Sequence, residues 1–168
     1  MRSATTVLMG AVLLAASNLS AAEMHRVVEV PDTQTLVLED GERIHLIGIE
    51  MPPEKSAADD AVEFLRNIIL NKTVDVEQDP IDAAQGYRDA EGQRLAYIWY
   101  AVTQRVHADG PGSPLLAQEG RKLLNMTLLE NGWVRYRGGM DELHGNDMLA
   151  AQDAARQMKL GIWRDSKK

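Results

Sequence analysis

Two arginines beside a tyrosine are the residues of this sequence whose types suit direct contact with a nucleic acid. Arg135, Tyr136 and Arg137 are consecutive, and such a group can bind a single strand through charge and base stacking. The same residues also suit an exposed edge strand, and this alternative stays open. A polar segment earlier in the chain carries four acids, Asp79, Asp82, Asp89 and Glu91. Carboxylates in such a segment would repel a polyanion.

Several other kinds of site are excluded by residue type or spacing. The chain has no Cys, which rules out disulfides, thiolate catalysis, Cys-based zinc sites and a lipid-anchored Cys. His25, His107 and His144 are far apart and share no metal-ligand spacing, so no zinc site is predicted. The sequence contains neither a Gly-rich phosphate loop nor a Ser-His-Asp pattern.

The composition is that of an ordinary globular chain. Of its 168 residues, 45% are hydrophobic and 26% are charged, which excludes collagen-like, low-complexity and wholly disordered chains. The length suits one domain with one core. The formal charge is −7 and the pI is about 5.1, which argues against a partner bound mainly through a basic surface.

The N-terminal segment has the residue order of a secretory signal. Arg2 precedes the apolar run 7–16, which is too short to span a bilayer comfortably. Small residues then occupy the −3 and −1 positions of a cleavage site before Glu23. We therefore expect residues 1–22 to be a signal peptide and residues 23–168 to form the domain, exported to the periplasm or the medium without a membrane anchor. A buried first helix is the alternative.

Short apolar and β-branched segments, separated by turn residues, predict six strands. Between the second and third segments, Asp40-Gly41 supplies the positive φ that a tight hairpin needs. The predicted strands span residues 24–30, 35–38, 43–49, 73–77, 95–102 and 133–136.

Three helices are predicted between and after these strands. Residues 57–70 carry their apolar side chains on one helical face, with Ser56 as the candidate cap. A second helix should follow Ser113-Pro114, which resembles an N-cap and first helical position, and continue to Glu130. The third helix should span residues 148–160. Short strands with interposed helices predict an α+β fold, with a small closed barrel as one arrangement.

Five segments, in this order and spacing, resemble the staphylococcal nuclease (thermonuclease) family. They read RIHLIGIEMPPE, AVEFLRNIILNKTVDVE, GQRLAYIWY, LLNMTLLENGWVRY and AAQDAARQMKLGIW, and together they span roughly residues 27–163. The resemblance implies a five-stranded OB-type β-barrel with three α-helices. It also implies an exported, calcium-dependent phosphodiesterase that acts on DNA and RNA.

The turn after the first strand departs from the family's metal-binding pattern. Cleavage of a phosphodiester needs a metal that polarises the phosphate, a carboxylate that activates water, and cations that stabilise the transition state. The family's calcium ligand is the second Asp of an Asp-Gly-Asp-Thr turn, and Gln34 stands at that position here. A neutral amide removes charge from a hard-cation site. The remaining metal candidates are Asp32 and Glu50.

The second matched stretch loses a phosphate clamp and the general base. The family reads Arg-x-x-x-x-Asp-Thr-Pro-Glu, in which the Arg clamps phosphate, the Asp binds calcium and the Glu is the base. Here His45 replaces the Arg, Glu50 the Asp and Pro53 the Glu. Glu54 follows one position late and would act as base only if the double Pro displaces the loop; otherwise it is a solvated acid. His45 is cationic only in acid, so a packed or half-exposed ring is the alternative for it.

The third matched stretch loses the second clamp. Where the family has Tyr-Gly-Arg-x-Leu-Ala-Tyr, this chain has Gln93 in place of the Arg. Arg94 is one residue late, which on a strand means the opposite face. Arg94 would replace the clamp only if the preceding loop slips register, and a surface ion pair is the alternative.

Every matched site position is thus substituted, whereas the core positions are kept. Losing one transition-state donor commonly costs about 10²–10³ in rate, and a phosphoryl-transfer Arg can be worth about 10³–10⁵. We therefore predict a catalytically degenerate domain without a cofactor that binds a protein, a small ligand or, weakly, nucleic acid. The alternative is a Ca²⁺-dependent phosphodiesterase with a rearranged site. That site would require Asp32, Glu50 and Glu54 to converge on one pocket beside Arg94.

Overall fold

The structure is a computed structural model that describes residues 24–107, 115–139 and 142–164. The predicted signal peptide, residues 1–22, lies outside the described residues. The strands are β1 Met24–Glu29, β2 Thr35–Leu38, β3 Arg43–Leu46, β4 Ile49–Glu50, β5 Thr73–Glu77, β6 Arg94–His107, β7 Leu115–Leu123 and β8 Arg135–Tyr136. The helices are α1 Lys55–Ile69, α2 Leu124–Glu130 and α3 Gly145–Gln157, with 3₁₀ helices at Pro80–Gln85 and Gly161–Trp163.

Five of these strands close into a barrel. Antiparallel pairs join β1 to β2, β2 to β3, β1 to β5 and β5 to β6. A parallel pair between β3 and the start of β6 closes the ring and sets His45 opposite Leu95. With the three helices, this confirms the predicted α+β fold and its five-stranded OB-type barrel.

The barrel interior is filled by alternate strand residues and covered by the helices. Leu36 and Leu38 on β2 and Ile44 and Leu46 on β3 are fully buried, as the two-residue period of a strand requires. Helix α1 buries one stripe, formed by Ala61, Leu65 and Ile69. Burial of a Leu or Ile side chain contributes roughly 1.5–3 kcal/mol, so this core stabilises the barrel independently of any functional site.

The segment before α2 is a strand, and the predicted helix starting after residue 114 is wrong there. Residues 115–123 form β7, which pairs antiparallel with β6 from Trp99↔Leu123 to His107↔Leu115. Helix α2 begins only at Leu124. Gly120 weakens a helix in this segment, and β6 offers it a continuous row of backbone partners. Strand β6 directly precedes β7 in the chain and extends to His107, beyond the predicted strand end at residue 102, so the local pattern did not reveal this long antiparallel pair.

The predicted strand 43–49 is interrupted at Gly48. Its φ of +72° is accessible to glycine without strain, and it separates β3 from β4. Strand β4 then pairs with β8 through Ile49↔Tyr136 and Glu50↔Arg135. Gly48 and its neighbours Ile47 and Ile49 line the pocket described below.

Among the described residues, no helix combines the length and the apolar character that crossing a membrane would require. Helix α1 is the longest of the three, with 15 residues.

Candidate ligand-binding pocket

A pocket of about 330 Å³ opens at the barrel end beside β3 and β4. Its apolar walls include Ile47 and Ile49 from this corner, together with Leu95, which the parallel pairing with β3 brings opposite His45. The polar side chains that line it are Gln34, His45, Asp82, Arg137 and Glu142. The accessible lining is therefore mainly polar, with several hydrogen-bonding groups beside a smaller apolar part.

Gln34 ties the turn after β1 to β4. Its Nε2 donates to the backbone oxygen of Ile49 at 2.7 Å and lies 3.5 Å from His45 Nε2. The turn itself is held by Asp32, whose Oδ1 accepts the backbone N–H groups of Gln34 and Thr35, both at 2.8 Å. Asp32 thus acts on the backbone of this turn, and Gln34 presents an amide to the pocket.

His45 lines the pocket and has a carboxylate beside its ring. Its Nδ1 lies 3.1 Å from Asp89 Oδ2, and 31% of the His45 side chain is exposed. The other oxygen of Asp89 accepts the backbone N–H groups of Glu91 and Gln93, at 3.0 and 2.8 Å. The acidic segment therefore supplies the partner of His45.

Glu50 and Glu54 lie outside the pocket lining. Glu50 Oε1 accepts a hydrogen bond from Arg137 Nη1 at 2.5 Å. Glu54, preceded by the exposed Pro53, caps α1 through its backbone and lines a separate cavity of about 500 Å³ with Trp133. The carboxylates of Asp32 and Glu50 therefore accept hydrogen bonds from different partners, and Glu54 lines another cavity.

Gln93 and Arg94 also lie outside the pocket lining. Gln93 lines a depression beside the β2–β3 turn, together with Asp40 and Glu42. Arg94 Nη1 donates to Glu42 Oε2 at 3.2 Å, and 14% of the Arg94 side chain is exposed. The residue that β6 contributes to the pocket is Leu95.

The arginine–tyrosine group lies on and beside β8, which pairs with β4 in a two-stranded sheet. Tyr136 donates its hydroxyl to the backbone oxygen of Gly139 at 2.8 Å. Arg137 pairs with Glu50, while Arg135 lines the same cavity as Glu54. The two arginines thus line different depressions.

Two acids of the pocket lining, Asp82 and Glu142, have perturbed pKa values. Burial and the nearby charge of Asp79 raise the pKa of Asp82. Burial raises the pKa of Glu142 as well, and the charges of Asp79 and Asp82 add to this although the Gly139 N–H opposes it. Asp82 was noted in the sequence only as part of an acidic segment, and Glu142 carried no signal there. The fold brings Glu142 to the corner at Gly48, where a Cβ would lie 3.1 Å from its Oε2.

Asp79 holds together the two segments that carry these acids. It is 2% exposed, and its carboxylate accepts hydrogen bonds from Ile81 N at 3.0 Å, Leu143 N at 2.7 Å and the Tyr97 hydroxyl at 3.0 Å. The 3₁₀ helix Pro80–Gln85 and the segment before α3 are therefore fixed to one buried side chain. The sequence pattern, in which Asp79 is one of four acids in a polar segment, does not indicate this role.

Glu142→Gln is expected to raise the melting temperature at neutral pH by roughly 2 °C. The corresponding gain in the free energy of unfolding is only a fraction of about 1 kcal/mol, because solvent screens the charge of this partly exposed group. The raised pKa of Glu142 means that the folded protein favours its neutral form, so ionisation lowers stability as pH rises through the folded pKa. The gain should therefore vanish below the ordinary glutamate pKa of 4.5. Thermal melts across this pH range measure it. Glu63→Gln on the exposed side of α1 is the control, and an equal, pH-independent gain in both variants would contradict the prediction.

The calcium ion implied by the resemblance does not fit the residues at the matched positions. Calcium takes six to eight oxygen ligands, but Gln34 supplies an amide tied to Ile49 and Glu50 is paired with Arg137. Asp32 accepts two backbone N–H groups with one of its oxygens. Within the described ranges, no group of three or more His, Asp or Glu side chains is placed to hold a metal ion.

Comparison with models of known protein families gives a match over most of the chain. A family model described as staphylococcal nuclease homologue matches residues 43–165, which is more than half of the chain. The match begins at β3 and includes the corner at Gly48, β6 and all three helices. Comparison with curated proteins finds no match.

Proposed function

The chain belongs to the staphylococcal nuclease homologue family, and from this premise we propose that it is an exported, non-hydrolytic member that binds a ligand in the pocket at the barrel end. The residue order of the segment 1–22 supports export. OB-type barrels serve many functions, so the proposal depends on the site and not on the fold.

The different surroundings of the three candidate carboxylates are the observation that carries this proposal. A rearranged nuclease site would need Asp32, Glu50 and Glu54 around one phosphate. Instead Asp32 caps a turn, Glu50 accepts a hydrogen bond from Arg137, and Glu54 faces another cavity. No common position for a metal and an attacking water follows from this arrangement.

The charges in the pocket also argue against phosphodiester cleavage. The transition state gains negative charge, which cations must stabilise. The pocket instead contains Asp82 and Glu142, and its Arg137 is paired with Glu50. Arg94, the nearest candidate for a clamp in sequence, donates to Glu42. A protein or a small ligand is therefore the favoured occupant, and a nucleic acid is disfavoured.

The purified protein is expected to leave single-stranded DNA and RNA uncleaved, with or without calcium or magnesium. The reason is that metal ligand, base and both clamps are replaced together, and the loss of a single such group already costs about 10²–10³ in rate. Product formation on denaturing gels measures the rate. Metal-dependent turnover that disappears in both Glu50→Ala and Glu54→Ala would overturn the proposal and establish the rearranged enzyme. Asp153→Ala, an exposed acid on α3, is the matched control.

A further inference from the structure

Negative charge dominates the surroundings of the pocket. Asp82 and Glu142 line it, and Asp79 lies close enough to influence the pKa of both. Its two basic residues are already engaged, because Arg137 pairs with Glu50 and His45 lies 3.1 Å from Asp89. A cationic ligand would therefore meet favourable charges here, and an anionic one would not.

One carboxylate oxygen in this pocket lacks a hydrogen-bond donor. Glu142 Oε1 accepts the Gly139 N–H at 3.0 Å, whereas its Oε2 is buried without a partner among the described residues. A buried acceptor without a donor is costly. An ammonium or guanidinium group in the pocket would supply N–H donors to the carboxylates that line it and a positive charge that compensates theirs.

An exposed apolar residue is the chain neighbour of each of these acids, Ile81 before Asp82 and Leu143 after Glu142, and this pair is called the rim below. Ile81 is 53% exposed and Leu143 is 50% exposed. Their backbone N–H groups donate to the same Asp79 carboxylate, so the two residues flank one buried anchor. Exposed apolar side chains grouped beside a pocket are typical of interaction surfaces.

From the cavity, the acids and the apolar rim together, we infer that the pocket receives a Lys or Arg side chain of a partner protein whose flanking apolar residues pack on Ile81 and Leu143. This inference rests on the proposed binding function and names its ligand class. The volume of about 330 Å³ lies at the low end for ligand sites, which suits one long side chain. The hydrogen-bonding acids select the cation, and the rim selects its apolar neighbours.

A capped peptide with a central Leu-Arg-Leu, flanked by Gly and Ser, is the probe. In a ¹⁵N–¹H NMR titration it is expected to shift the amide signals of residues 81–82 and 142–143, and the matched Leu-Glu-Leu peptide is not. The double variant Asp82→Asn, Glu142→Gln should weaken binding about tenfold or more, because hydrogen bonds to charged groups are worth roughly 1.5–3 kcal/mol. The double variant Glu63→Gln, Asp153→Asn, which alters exposed acids on α1 and α3, should bind like the wild type.

The contribution of the rim has its own control. Leu143→Ser should weaken the Leu-Arg-Leu peptide several-fold but leave a Gly-Arg-Gly peptide unchanged, and the NMR spectrum of each variant reports whether it is folded. Equal binding of the Arg and Glu peptides, unchanged affinity in the pocket double variant, or no shifts at millimolar peptide would overturn the inference. If single-stranded DNA shifted the same amide signals without being cleaved, the inferred Lys or Arg ligand would be wrong. The proposed non-hydrolytic binding function would still hold. Metal-dependent cleavage would instead remove that function.

Discussion

Asp79→Ala is expected to lower the free energy of unfolding by about 2–4 kcal/mol, as estimated for the loss of a buried carboxylate that accepts several hydrogen bonds. The variant leaves the N–H groups of Ile81 and Leu143 and the hydroxyl of Tyr97 without their acceptor. Tyr97 is fully buried, so water cannot easily replace the carboxylate there. Urea unfolding followed by tryptophan fluorescence measures the change.

The same substitution should also loosen the pocket. Asp79 joins the 3₁₀ helix that carries Asp82 to the segment that carries Glu142. Once it is removed, we expect faster hydrogen exchange at the amides of Ile81 and Leu143 and weaker binding of the Leu-Arg-Leu peptide. A variant that lost stability but kept both properties would contradict this role of Asp79.

Tyr97→Phe is the matched control for Asp79. It removes one of the three donors and should cost about 1 kcal/mol. Burial, followed by the neighbouring Asp79 carboxylate, holds the pKa of Tyr97 well above its ordinary value, so the hydroxyl remains a donor throughout the usual pH range. A loss in Asp79→Ala no larger than that in Tyr97→Phe would show that the two backbone N–H groups contribute nothing.

The barrel could be predicted from the sequence because its signals are local. Alternating apolar residues define β2 and β3, and the Asp40-Gly41 turn fixes their hairpin, in which Gly41 has a φ of +86°. The apolar stripe of α1 likewise predicted the helix to within two residues at its start. In each case the information lies within one element or one turn.

Strand β7 could not be predicted in this way. The local pattern predicts a helix there, because Ser113-Pro114 resembles a helix start and the apolar residues that follow suit a helix as well as a strand. Pairing with β6 decides that this segment is a strand, because nine residues of β6 lie opposite nine residues of β7. Tertiary context of this kind overrides local propensity.

The pocket was predictable in part. Gln34 and His45 were singled out at matched positions, and both line it because the strands carrying them are the predictable part of the fold. Glu142 belongs to no matched motif and reaches the pocket through the path of the chain before α3. The raised pKa values of Asp82 and Glu142 likewise depend on burial and neighbouring charges, which a sequence pattern does not contain.

Asn125→Ala is expected to lower the free energy of unfolding by about 2–4 kcal/mol, because it leaves two buried backbone groups unpaired. Asn125 is fully buried at the start of α2. Its Oδ1 accepts the N–H of Ile98 at 3.2 Å, and its Nδ2 donates to the oxygen of Ile47 at 2.8 Å. One side chain thus joins α2 to β6 and to the corner that carries the pocket wall. Urea unfolding and hydrogen exchange at the Ile98 amide measure the loss.

The variant Asn125→Asp distinguishes the contributions of these two hydrogen bonds to stability, because the pH sets whether the new side chain can donate. An ionised Asp can still accept from Ile98 but cannot donate to Ile47, and burial of its charge should make this variant less stable than Asn125→Ala at neutral pH. Burial raises the pKa of such an Asp, so stability should return as pH falls through that value, when the neutral acid can again donate. Asn131→Ala is the control, because Asn131 is exposed and its side chain donates to the oxygen of Thr127 within its own helix end. If Asn131→Ala were as destabilising as Asn125→Ala, or if the Asp variant showed no recovery in acid, the connection between α2 and the barrel would not be what Asn125 provides.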